Sequence, residues 1–100
     1  MSEYEVNAIN KPHRQSPHEH ITHIGNNNAD WRMTREEAIR RIETRQDSFY
    51  TVDRTTGKKI PIEVVREAGK VPFLRTKADG KWNDNLLAMP ECSSSSKLVA

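Results

Sequence analysis

One cysteine, Cys92, stands among 100 residues, so no intrachain disulfide can staple this chain. A lone thiol fits a reducing compartment, and the cytoplasm is the expected location. Long apolar runs are also missing, which excludes a membrane-spanning helix. The acidic opening MSEYEVNAIN has no apolar core of the kind a secretory signal needs. Large apolar side chains are scarce, with Leu, Ile, Val and Phe supplying 19 residues. That fraction borders on disorder only when net charge is high, and here the net charge is +2, so a folded chain with a thin core is expected. The length suits one small domain and excludes large two-domain enzymes.

Residues 2–10 place Tyr4, Val6 and Ala8 at alternate positions, the period of a strand with one buried face. KPHRQSPHE, residues 11–19, has two prolines and no apolar residue, which predicts an exposed connection. HITHI, residues 20–24, reads as a second short strand that ends in a turn at Gly25 and Asn26 to Asn28. Thr34 with Glu37 three residues later forms a capping box, so a helix should begin at Arg35 and end near Arg45. Ala38, Ile39 and Ile42 make its apolar stripe, and Trp31 and Met33 lie just before the cap. Three strands follow, at residues 49–52, 60–64 and 71–76. Pro61 lacks a ladder donor, so its strand should lie at an edge or turn the Pro61 nitrogen to solvent. Ala78-Asp79-Gly80 marks a turn with Trp82 directly after it, and residues 93–100 read as a flexible tail. The expected fold is α+β: one domain over residues 1–92, with about five strands in the order β-β-α-β-β-β. The sheet should be mainly antiparallel, with one helix on one face.

SPHEHITHIG, the run WRMTREEAIRRI, FYTV, FLRTKADG and DNLLAMPEC, in this order, resemble an uncharacterised bacterial family of short proteins, DUF3892. The resemblance covers about residues 18–92 and implies no activity. The family pattern usually carries a second glycine where this chain has Asn26, and often an arginine where it has His20. The latter weakens any metal site built on His20.

Four histidines, His13, His18, His20 and His23, fall within eleven residues, and imidazole is the commonest ligand of zinc, copper or nickel. On a strand His18 and His20 would share a face while His23 turned away, and no cysteine or acidic pair completes a four-ligand set. Solvated histidines are therefore the favoured reading, and no cofactor is expected. Cys92 could act as a nucleophile only with a histidine base beside it. Its place where core gives way to tail reads better as a small apolar residue.

Charge is uneven: residues 54–81 carry +5. Arg66, Lys70, Arg75, Lys77 and Lys81, with Phe73 and Trp82 among them, could contact phosphates and stack bases. The blander account is that turn lysines protect strand edges and keep a small domain soluble. Glu36 with Arg40 and Glu37 with Arg41 are helix pairs at i,i+4, which explains those charges as a solvated face. Arg75 is expected to pair internally with Asp79 or Asp84. Of the two tryptophans, Trp31 is expected in the core and Trp82 is the candidate surface anchor. The leading expectation is a non-enzymatic binding or adaptor module, monomeric, off the membrane, with a protein partner. Nucleic-acid binding through residues 54–81 and metal binding through His18, His20 and His23 are the alternatives.

Overall fold

The computed structural model describes residues 2–11, 21–53, 55–78, 80–83, 86, 89–92 and 97–99. Its strands are β1 (Ser2–Glu5), β2 (Ala8–Asn10), β3 (His23–Asn26), β4 (Trp31–Thr34), β5 (Asp47–Val52), β6 (Lys59–Val65), β7 (Phe73–Ala78), β8 (Lys81–Asn83) and β9 (Lys97–Val99), with one helix, α1 (Arg35–Glu43). They form two sheets, one of five strands in the order β1-β5-β6-β7-β8 and one of four in the order β2-β3-β4-β9. The expected single sheet of about five strands is therefore corrected to a pair of sheets around one helix. Each sheet carries a parallel pairing at one edge, β1 with β5 and β4 with β9, and is otherwise antiparallel.

The second sheet arises because residues 2–10 do not make one strand. Val6 donates its N–H to the Tyr50 carbonyl in the first sheet, and Asn7 donates to the Gly25 carbonyl in the second. The chain thus changes sheets between adjacent residues, the way a strand turns a corner in packed sheets. Tyr4 stays 38% exposed on the edge strand, whereas Val6 and Ala8 are buried. The second strand begins at His23, and Trp31 to Thr34 form β4 where only a lead-in to the helix was expected. A four-residue strand running straight into a helix cap is too short to show its period in sequence.

Thr34 caps α1, its hydroxyl accepting from the Glu37 N–H at 3.2 Å. The helix ends two residues earlier than expected, at Glu43, with Arg45 in the left-handed region at φ 60°. Its Ala38 and Ile39 are buried, and the helix packs on β5, β6 and β7 of one sheet and on β3 and β4 of the other. Ile9, Ile24 and Met33 from the small sheet meet Phe49, Ile62 and Leu74 from the large one in a single core.

Pro61 does not place β6 at an edge, because β5 and β7 flank it. The register with β5 runs through Lys59 to Pro61 and that with β7 begins at Ile62, so Pro61 sits where the strand passes from one neighbour to the next. Lys97–Val99, in the segment expected as a tail, add β9 to β4, and half-buried Val99 packs against the core. No helix among the described residues is long and apolar enough to cross a membrane.

Candidate functional site

The five-stranded sheet has one face against the core and one turned outward. Along β5 the buried residues are Asp47, Phe49 and Thr51, and along β6 they include Ile60 and Ile62, so Tyr50 and Pro61 point the other way. Tyr50 pairs with Pro61, the Ile62–Thr76 register sets Pro61 beside Lys77, and Lys77 pairs with Trp82. One row across four strands on the outward face therefore reads Tyr50, Pro61, Lys77, Trp82. At the spacing of neighbouring strands it spans about 14 Å. Phe73 shares this parity yet is 4% exposed, so the face is open from Arg75 towards the hairpin turns. That corrects the expectation of Phe73 as an exposed aromatic among the basic residues.

Both rings of the row carry an ammonium group. Lys59 Nζ lies 4.7 Å from the Tyr50 ring centroid, and Lys77 Nζ lies 5.0 Å from that of Trp82. Lys59 also bonds Glu3 on β1 at 2.7 Å, and this hydrogen bond raises its pKa. Beside the row is an open groove of 420 Å³ lined in part by Lys58, Lys59, Pro61, Glu63 and Lys77. It lies between the β5–β6 turn and Gly80 of the β7–β8 turn, two reversals at the same end of the sheet.

The basic residues expected to act together are divided between the two ends of the sheet. Arg66 grips Glu43 at the end of α1 with two hydrogen bonds, which hold the Glu43 carboxyl below its usual pKa. Lys70 pairs with Glu67 at 3.4 Å. Both belong to the β6–β7 connection, away from the groove. Arg75, half-buried on β7, faces Glu63 across the sheet; the proposed partners Asp79 and Asp84 lie outside the described residues. Lys58, Lys77 and Lys81 have no carboxylate partner among the described residues, and all three lie near the hairpin turns. Trp82 is 40% exposed on edge strand β8. Tyr50, Lys58, Lys59 and Pro61 were not among the site residues expected from sequence, because their placement beside Trp82 depends on the register of three strand pairs. The available signal was the alternation of Lys59, Pro61 and Glu63 with buried Ile60 and Ile62.

The other candidates resolve differently. His23 is half-buried on β3, its Nδ1 3.0 Å from the Thr22 hydroxyl, and burial followed by the nearby Arg32 charge lowers its pKa. His18 and His20 lie outside the described residues, and among those described no three His, Cys, Asp or Glu side chains converge on a metal position. Cys92 is buried, which pushes its thiol up to about 11. On α1, Glu37 receives both Arg40 and Arg41 at 2.6 Å, while Glu36 bonds Arg35 rather than the expected Arg40. Arg41 continues to buried Asp47 at 3.1 Å. Trp31 is half-buried against the core, its ring centroid 6.0 Å from Tyr4 and 6.3 Å from Phe49. With Tyr4, Met33, Arg41 and Val99 it lines a second, mainly apolar hollow of 200 Å³ at the open side between the sheets.

The model of the family described as protein of unknown function, DUF3892, matches residues 5–90, and the chain belongs to that family. No curated protein and no solved structure matches it.

Proposed function

We propose that this chain is a small non-enzymatic binding module whose recognition surface is the outward face of the five-stranded sheet, centred on Trp82. The observation that carries the reading is the row Tyr50, Pro61, Lys77, Trp82, which sets two aromatic rings and a proline on an open sheet face beside a groove. Rings with few rotatable bonds give contact area at small entropic cost, which is why tryptophan and tyrosine dominate binding hot spots. The residue types favour recognition over bond-making, since the buried, protonated Cys92 is a poor nucleophile and the row holds no carboxylate or imidazole. A cytoplasmic setting and a monomeric state complete the proposal.

The test is capture of ligands from host extract on the N-terminally tagged chain, compared with Trp82→Ala and with Arg66→Gln at the far end of the sheet. The captured species, reconstituted with purified protein, should be lost with Trp82→Ala and kept with Arg66→Gln. Equal binding to all three would place recognition elsewhere and remove the reading.

A further inference from the structure

We infer that the outward face binds single-stranded nucleic acid, with bases on the Trp82 and Tyr50 rings and phosphates on Lys58 and Lys77; this rests on the outward face being the recognition surface. Three observations converge. First, Lys58 and Lys77, which have no carboxylate partner among the described residues, lie toward the hairpin end of the sheet, while Arg66 and Lys70 at the other end are held by Glu43 and Glu67. Lys58, Lys59 and Lys77 line the groove against the carboxylates of Asp53 and Glu63, an excess of positive charge among the described residues. That charge calls for an anionic ligand.

Second, the ligand must also suit flat rings. Exposed aromatics on an open sheet are how four-stranded RNA-binding sheets stack two or three bases. The row from Tyr50 to Trp82, about 14 Å across three strand spacings, is of the size such a stack needs. An acidic peptide would satisfy the lysines yet leave the rings and Pro61 without planar partners. A duplex keeps its base faces inside the stack and offers only phosphate.

Third, each ring holds a lysine ammonium that a base can replace. When a base stacks on Trp82, Lys77 gives up its cation–π contact and moves a short way to the adjoining phosphate, so no charge is left stranded. At Tyr50 the exchange meets resistance, because Lys59 is also tied to Glu3. Trp82 is therefore the principal stacking residue, and Glu3 restrains the second position.

The experiment is anisotropy titration of a labelled oligothymidylate about a dozen nucleotides long, with a duplex of equal length as competitor. Two phosphate contacts predict that affinity falls roughly sevenfold between about 50 and 200 mM salt. Trp82→Ala should weaken binding about tenfold, and Trp82→Phe should recover most of the loss, which also covers the case in which the alanine variant folds poorly. Lys58→Gln and Lys77→Gln should each reduce the salt slope by about 0.7, and Arg66→Gln should leave it unchanged. Glu3→Gln, by releasing Lys59, should tighten binding, an effect that a merely structural Glu3 would not produce. No binding at low salt, or duplex binding as tight and indifferent to Trp82, overturns the inference. If the oligonucleotide fails while a captured protein still depends on Trp82, nucleic acid is the wrong ligand class and the binding face stands. If neither depends on Trp82, both fall.

Discussion

Asn26 Nδ2 donates to the Glu5 carbonyl 3.0 Å away, tying the last residue of β1 in the large sheet to the last residue of β3 in the small one. Its Oδ1 accepts from the backbone N–H groups of Asn28 and Ala29, both at 2.9 Å, and from Asn7 Nδ2 at 3.3 Å. Asn7 in turn accepts from the Asn27 N–H through its own Oδ1. One buried amide therefore pins the corner where the chain changes sheets and shapes the turn that leads to β4.

Replacing Asn26 by Ala would leave the Glu5 carbonyl and two turn N–H groups short of a partner at a part-buried corner. The expected cost is about 1–3 kcal/mol of folding stability, read as a lower midpoint in urea with little change of slope. A loss below the error of the measurement would mean that water replaces the amide and that the corner is held elsewhere.

Gly25 is the neighbouring constraint. A Cβ built on it would lie 2.5 Å from the Trp31 carbonyl oxygen and 3.1 Å from Arg32 Cα and Cβ, so β3 and β4 approach too closely for any side chain. Gly25→Ala must push the two strands apart, at about 1–3 kcal/mol. Because Trp31 moves with β4, its emission should shift as well. An alanine variant with unchanged stability and spectrum would refute the close approach.

The helix was legible because it is written locally: Thr34, Glu37 and the Ala38, Ile39, Ile42 stripe all fall within nine residues. The hairpin of β5 and β6 was legible for the same reason, as alternation around a Gly57 reversal. The second sheet was not, because its strands are three or four residues long and are held by partners distant in sequence, Ile9 with Ile24 and Met33 with Val99. Short strands carry too few periods to declare themselves, and parallel pairing leaves no turn signal between partners. The candidate site was half legible on the same logic. Trp82 and the basic excess stand out in composition, but the division into paired and unpaired cations depends on Glu43, which belongs to a different element from Arg66.

The Glu37 carboxylate, bonded first to Arg40 and then to Arg41, has its pKa lowered from 4.5 to about 2. A carboxyl whose folded pKa is depressed stabilises the fold above its unfolded pKa, and that contribution is lost as pH falls through the folded value. The window is therefore from about pH 4.5 down to about pH 2. Urea midpoints of the wild type and Glu37→Gln should differ by a constant amount near neutrality and converge through that window. A gap that persists undiminished at the acid end would show that Glu37 acts through packing rather than charge.

Cys92 tests the last joint of the small sheet. Its N–H donates to the Ile9 carbonyl at 3.0 Å, and Ile9 donates to the Pro90 carbonyl at 2.9 Å, so the segment lies parallel along β2. Burial raises the thiol to about 11, which leaves on the order of one thiolate in a thousand at pH 8. An aromatic disulfide reagent should therefore label the native chain about two orders of magnitude more slowly than the urea-unfolded one. Because labelling needs the segment to leave β2, Ile9→Ala should accelerate it, while Arg66→Gln, remote from that joint, should not. Native labelling as fast as unfolded would mean that the segment does not hold to β2 and that the small sheet ends there.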